Sequence, residues 1–198
     1  MREYTDEEIV QQVRGGDINA FGILVSRYEQ KAFSLALSIL KDRTLAEDAA
    51  QEAFVKAYKG LKKYRGGSAF GTWFYRIVYN CSLSKLDSQK RRSMREVEID
   101  ALDMQLPERT TLNPADELEA EDFREIVDSA LTELPEKYRA ALTLYLVDDL
   151  SYEEISDVLK MPIGTVKTRL FRAKNQLRER VLAIYRHERY PSNAEDTQ

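Results

Sequence analysis

Between Ser151 and Arg180 the chain reads SYEEISDVLKMPIGTVKTRLFRAKNQLRER, two helix patterns separated by a single proline. Few folds accommodate that arrangement. Ser151 followed three residues later by Glu154 predicts a capping box, in which hydroxyl and carboxylate satisfy orphan backbone donors of a first turn. Ile155, Val158 and Leu159 then share one face. Lys160, Met161 and Pro162 interrupt the pattern, because proline lacks a backbone donor and biases its predecessor away from helical geometry. A second helix is predicted from about Ile163.

On that helix Ile163, Val166, Leu170, Ala173 and Leu177 fall on one stripe at about 100° per residue, the face that packs down. The opposite face carries Gly164, Thr165, Lys167, Thr168, Phe171, Arg172, Asn175 and Arg178, with Arg169 and Lys174 on the flanks where side chains reach toward phosphates. Small residues at the start of such a helix permit close approach to a major groove, and Arg, Lys, Asn and Thr bond to base edges or phosphates. A helix-turn-helix that recognises DNA is the expectation. Phe171 on a polar face suits a thymine methyl or a sugar; the plainer alternative is a solvated basic helix with Phe171 packed on a neighbour.

The rest of the chain must be built around this unit, and 198 residues leave room for one medium domain or two small ones. Eight glycines, five prolines and repeated helical spacing with almost no alternating pattern predict an all-α protein. The one cysteine, Cys81, excludes an internal disulfide. On an apolar helical stripe it reads as a small buried hydrophobe in a reducing cytoplasm. The N-terminal MREYTDEEIVQQV lacks the apolar core of a signal peptide, and no apolar run reaches membrane-spanning length. A cytoplasmic location without membrane insertion is therefore expected.

A net charge of −4 fits a DNA-binding protein only once it is divided along the chain. Residues 1–95 carry 17 Lys+Arg against 11 Asp+Glu, residues 96–122 one Arg against ten acids, and residues 123–198 carry 12 against 13. Basic surfaces flank an acidic connector. Phosphate neutralisation supplies most non-specific affinity and the connector opposes it, so the chain alone should bind DNA weakly and need a partner.

In order, Glu7 to Tyr28 predicts a short helix, a break at Gly15-Gly16, and a second helix capped by Asp17 with Ala20, Phe21, Leu24, Val25 and Tyr28 inward. A further helix is predicted over about Glu29 to Lys41, then a polar turn from Asp42 to Thr44. In the helix that follows, Ala46, Ala50, Ala53, Ala57 and Leu61 mark a face whose small side chains allow close approach. Asp48, Gln51, Glu52 and Val55 line another face, which is either merely solvated or a protein-docking surface.

Tyr64 to Arg92, YRGGSAFGTWFYRIVYNCSLSKLDSQKRR, is the second informative stretch. Arg65-Gly66-Gly67-Ser68 predicts a loop able to bring backbone donors near a ligand. Phe70, Trp73, Phe74, Ile77, Val78 and Cys81 then form an apolar stripe, for which core packing is preferred over base stacking. Tyr75, Arg76, Tyr79, Asn80 and Lys85 lie off its centre, a combination suited to unpaired bases. Composition changes after Arg91-Arg92. Glu96 to Asn113 has mixed periodicity, no caps and a proline, so an extended or disordered linker is expected. Structure is predicted to resume near Pro114, with Phe123, Ile126, Val127, Ala130, Leu131 and Leu134 on one face. The next helix is expected to bury Tyr138, Ala141, Leu142, Tyr145 and Leu146, and the tail after Tyr185 to fray.

Three stretches together, DAAQEAFVKAYKGLKKYRG (48–66), FGTWFYRIVYN (70–80) and LPEKYRAALTLYLVDDLSYEEISDVLKMPIGTVKTRLFRAKNQLRE (134–179), resemble the extracytoplasmic-function (ECF) sigma factors of bacteria, the two-domain group that includes sigma-E and the sigma-W type. The resemblance implies a sigma2-like domain over 1–95, an acidic linker over 96–113, a sigma4-like helix-turn-helix domain over 114–186 and a polar tail over 187–198. It implies docking of Asp48, Gln51, Glu52 and Val55 on the β′ clamp of core RNA polymerase, with the β flap as a second contact. Arg65, Gly66, Gly67, Ser68 and Ala69 would hold a flipped non-template base of the −10 element, beside Arg76, Tyr79 and Asn80. Gly164, Thr165, Lys167, Thr168, Phe171 and Arg172, supported by Arg169 and Lys174, would read the −35 duplex. The linker would occupy the polymerase channels, where its charge either imitates RNA or is simply solvated. An anti-sigma factor, which can hold such a protein at the inner face of the membrane, is a further implied partner.

Two other classes are weighed against this. A conventional helix-turn-helix regulator would bind DNA without joining polymerase, and would need neither the 64–92 stretch nor the docking face. For an enzyme the sequence offers little: one histidine, His187, in the tail, no metal-spaced cluster, no phosphate loop and no nucleophile elbow. No catalytic residue, metal, cofactor or small-molecule substrate is expected.

Overall fold

The computed structural model describes residues 4–96, 120–146 and 149–189, and every regular element among them is helical. The chain begins with α1 (Asp6–Arg14), opened by a capping box between Thr5 and Glu8. Gly16, at φ 106°, supplies the left-handed turn that ends it. Asp17 caps α2 (Ile18–Leu40), its carboxylate accepting from the Asn19 and Ala20 amides. α2 is one helix of 23 residues, not two. Its polar segment Ser26 to Lys31 contains neither glycine nor proline, and Leu24, Ala32, Leu35 and Ile39 keep one buried stripe continuous through it. Asp42, placed in a turn by the sequence, is the N-cap of α3 (Arg43–Gly60). The buried side of α3 is almost all alanine, Ala46, Ala49, Ala50, Ala53 and Ala57, which lets α2 and α4 (Phe70–Glu96) lie close on either side.

The second half is built from α5 (Ala120–Glu133), α6 (Glu136–Leu146), α7 (Tyr152–Leu159) and α8 (Ile163–Arg189). Ser151 and Glu154 form the predicted capping box, and the residue that breaks the helix pair is Lys160, left-handed at φ 52°. α8 continues to Arg189, beyond the expected fraying point at Tyr185. The predicted linker lies outside the described residues apart from Glu96, as does the restart at Pro114 and the burial of Phe123.

The halves pack against each other, α6 on α2 and α7 on α4, so that one buried cluster runs from Ile9 to Ala173. α6 is consequently buried on nearly all sides, including Arg139 (4% exposed) and Thr143. The Arg139 guanidinium donates to the carbonyl of Ser38 across the interface and to those of Thr132 and Leu134. Such a charge is tolerated in the interior because its donors are matched by oxygen acceptors. Leu146, expected inside, is 55% exposed because it ends the helix beyond the packed layer.

Candidate nucleic-acid and polymerase interface

Three surfaces can be traced from local sequence to geometry. On α3 the face opposite the alanines carries Asp48, Gln51 and Val55, all exposed, and half-buried Glu52. Glu52 pairs with Lys56 one turn on (2.8 Å). Lys85, grouped by the sequence with nucleic-acid contacts, instead reaches from α4 toward Asp48 (3.7 Å) and Glu52 (3.8 Å). The hydrogen bond from Lys56 outweighs the opposing effect of burial and holds the Glu52 carboxyl below its ordinary range. The face is thus anionic, ordered and partly neutralised by its own lysines, with Val55 as an apolar centre 52% exposed.

The second surface is concave. The aromatic stripe of α4 is core: Phe70, Phe74, Val78 and Cys81 are buried, and Trp73 rests on Tyr64 (ring centroids 4.9 Å). Tyr75, expected off the stripe, is 3% exposed, because Tyr28 and Phe74 close over it. Burial pushes the Cys81 thiol up, away from the reactive thiolate. The loop before α4 is shaped by Gly66, left-handed at φ 72°, and held by Tyr64, whose hydroxyl donates to the Ser68 carbonyl (2.5 Å). Together with α1 it encloses a cleft of about 350 Å³: Arg65, Gly66, Ser68 and Ala69 form one wall, Glu7, Val10, Gln11 and Arg14 the other, and Tyr64 also lines it. No motif in the sequence marks the α1 wall. It is pinned by Asp6, which accepts from both Arg27 and the Tyr28 hydroxyl. Burial, reinforced by Asp6, pushes the Tyr28 hydroxyl far up. Burial likewise raises the Tyr64 hydroxyl, with Glu7 and Asp6 adding to it.

Arg76 and Asn80 are exposed one turn apart on α4. Tyr79 is half-buried against the second half of the chain. Burial raises its hydroxyl, opposed by the charge of Arg169 and aided by that of Glu136. Thr72 on the same helix donates to Glu154 (3.0 Å), and Lys90 pairs with Glu136 (3.9 Å). Burial raises the Glu154 carboxyl, but hydrogen bonds from Ser151 and Thr72 together outweigh it and hold the group below its ordinary range.

The third surface is α8. Val166, Leu170 and Ala173 are buried and Leu177 packs on the core as the period requires, Ile163 is half-exposed at the helix start, and Gly164, Thr165, Lys167, Thr168, Arg172, Asn175 and Arg178 are exposed. Phe171 is 66% exposed and belongs to no ring cluster among the described residues, so it is not a misplaced core residue. The flanking cations are held: Lys174 lies 3.8 Å above the Tyr145 ring and Arg169 donates to the Lys137 carbonyl (3.4 Å). The exposed face is therefore a preformed basic surface of the kind a major groove admits.

Two family models match, Sigma-70 region 2 over residues 24–92 and Sigma-70, region 4 over 124–177. The chain is 38% identical over 189 residues to the ECF RNA polymerase sigma-E factor of Escherichia coli strain K12, covering 93% of this chain and 98% of that one. The chain belongs to the ECF RNA polymerase sigma factors. It is also 39% identical over 183 residues to the RNA polymerase sigma-H factor of Pseudomonas aeruginosa, covering 87% and 91% of the two chains. The sigma factor RpoE of Bartonella quintana, solved with the anti-sigma factor NepR, shares the fold with a TM-score of 0.63 at 22% identity, covering 84% of this chain and 99% of that one. As a sigma factor the chain is not an enzyme, and no helix among the described residues is long and apolar enough to cross a membrane.

Proposed function

We propose that this sigma factor joins core RNA polymerase through the α3 face of Asp48, Gln51, Glu52 and Val55, takes an extruded −10 base into the cleft between α1 and the Arg65–Ala69 loop, and reads the −35 duplex with α8. Arg76, Tyr79 and Asn80 contact the opened strand beside the cleft, and Lys167, Thr168, Phe171 and Arg172 contact the −35 base pairs. The observation that carries this is the cleft itself, since a concave site walled by the loop that leads into α4, the helix exposing Arg76 and Asn80, suits an unstacked base and has no use in a conventional regulator. Its volume lies at the small end of the about 300–1,000 Å³ typical of ligand sites.

The packed arrangement of the halves is then a resting state. Elements named for positions −10 and −35 lie about 25 base pairs apart, roughly 85 Å along B-form DNA. Tyr79 and Arg169, one from each reader, sit close enough for their charges to interact. Both elements are engaged only after the α4–α7 and α2–α6 contacts part. Core polymerase drives that separation by binding the open form preferentially, and an anti-sigma factor opposes it by covering surfaces that must be free. The sigma factor acts in the cytoplasm.

Fluorescence anisotropy on a labelled promoter library, with and without core polymerase, tests the proposal. Tight, selective binding only with core is expected; equally tight binding without core would leave a conventional regulator. Within the holoenzyme, Asn80→Ala should impair −10 opening and spare core binding, and equal loss of both would remove its assigned role.

A further inference from the structure

A second cleft, of about 650 Å³, adjoins the first and shares Arg14, Tyr64 and Arg65 with it. Its chemistry differs. Besides Tyr64 it is lined by Arg14 from the end of α1, Lys62 and Lys63 from the 3-10 turn Leu61–Lys63, and Arg65 from the loop, with no acidic side chain in the lining. All four cations are exposed, and none makes an ion pair or hydrogen bond among the described residues. Some surface cations elsewhere are paired, Arg43 with Glu47, Lys56 with Glu52 and Lys160 with Asp157, whereas others, such as Lys167 and Arg172 on the proposed duplex reader α8, are exposed like these four. The one carboxylate in the lining of either cleft is Glu7, on the wall of the smaller one. Four unpaired like charges gathered from three elements repel one another and gain nothing for the fold. They fit an anionic ligand.

We propose that this cleft seats the phosphodiester group flanking the extruded base, so that the single strand is gripped at base and backbone by adjoining sites. The proposal rests on the smaller cleft being the base pocket. Arg14 and Arg65 line both clefts, which places them between base and phosphate. Arg suits that position, since its planar fork bonds bidentately to phosphate oxygens. Lys62 and Lys63 act as point charges on the same group. A backbone contact of this kind is independent of sequence and positions the strand so that the pocket can select the base.

The test uses the full chain with core polymerase and a labelled single strand carrying the −10 sequence, with dissociation constants measured from 50 to 200 mM salt. For single strands each phosphate contact contributes about 0.7 to the salt slope, so Arg14→Gln should weaken binding and leave a shallower slope, with wild type losing about 2.5-fold more affinity than the variant across that range. A methylphosphonate at the flanking linkage should reproduce the loss, and Arg14→Gln should then cost nothing further. Arg14 is exposed and unbonded, so the variant keeps the fold, which circular dichroism checks. Unchanged slope and affinity in the Arg14→Gln, Lys62→Gln, Lys63→Gln triple variant would overturn the phosphate seat, as would an equal Arg14→Gln loss on charged and neutral linkages. An abasic residue at the extruded position tests the base pocket separately: it should weaken binding without altering the slope, and no loss there would overturn the base pocket instead.

Discussion

α4 and α8 are both 27 residues long and both are proposed to face nucleic acid, yet they are built differently. α8 buries a stripe of aliphatic and alanine side chains and leaves a convex basic face open. α4 buries an aromatic stripe and, of its proposed contact residues, exposes Arg76 and Asn80, with Tyr79 half-covered and the remaining contacts supplied by a loop, a 3-10 turn and α1. A duplex presents its information on a groove that a single rigid helix can enter. An unpaired base must be enclosed, and no single helix encloses anything. One reader is therefore a property of a helix, the other of an assembly.

That contrast can be broken at the aromatic core beneath the assembled reader. Phe74 is fully buried against Phe54, Phe70 and Tyr28. Phe74→Ala should destabilise the protein by about 3–5 kcal/mol, read as a lower thermal midpoint, and should abolish −10 strand binding while an isolated −35 duplex is still bound at low temperature. Next in size is the interface that keeps the two readers together. Arg139→Leu removes the charged donor to Ser38 and should cost roughly 1.5–3 kcal/mol; small-angle scattering should report a larger radius of gyration, and an unchanged radius would mean the halves stay together without Arg139.

A smaller effect concerns the capping box that serves both the helix-turn-helix and the interface. Ser151→Ala should cost about 1 kcal/mol. The Glu154 carboxyl is held below its ordinary value of 4.5, so its contribution is complete above that pH and is lost as the pH falls through the lowered folded value. Thermal midpoints measured from pH 7 to pH 3 should fall more steeply for wild type than for Glu154→Gln; parallel curves would show that Glu154 does not carry the dependence. The smallest effect on stability is expected at the open reader. Phe171→Ala should change stability by less than about 0.5 kcal/mol, yet reduce affinity for the −35 duplex in the holoenzyme by a measurable factor; an unchanged affinity would take Phe171 out of the contact set.

The helix-turn-helix was legible because each of its signals is local: a Ser-to-Glu spacing, a proline, a repeat of 3.6. The same holds for the alanine face of α3, where every predicted position is buried. Errors cluster where a distant element intervenes. Tyr75 lies off the stripe by period but under Tyr28 in space. Lys85 looks like a strand contact until α3 places Asp48 and Glu52 beside it. The pattern suggests a break in α2 near Glu29, where its middle is polar, yet a helix ends where the backbone is interrupted and not where its exposed face happens to be long. Arg14 and the Lys62-Lys63 pair carried no signal of their own, being ordinary basic residues 48 positions apart in sequence until α1 folds back on the loop.

Periodicity and capping chemistry alone determined that the chain is all-α, where most helices begin and end, which side of α3 and α8 packs inward, and that α8 presents a basic face. These follow from interactions within one or two turns, which the order of residues specifies directly. Tertiary structure decided the rest: the clefts walled by α1, the burial of Tyr75, the exposure of Leu146, and the docking of α6 on α2 that surrounds Arg139 with carbonyl oxygens. Each depends on which surfaces meet across long loops, and that choice is settled by the summed packing of the whole core, to which no short stretch of sequence gives access.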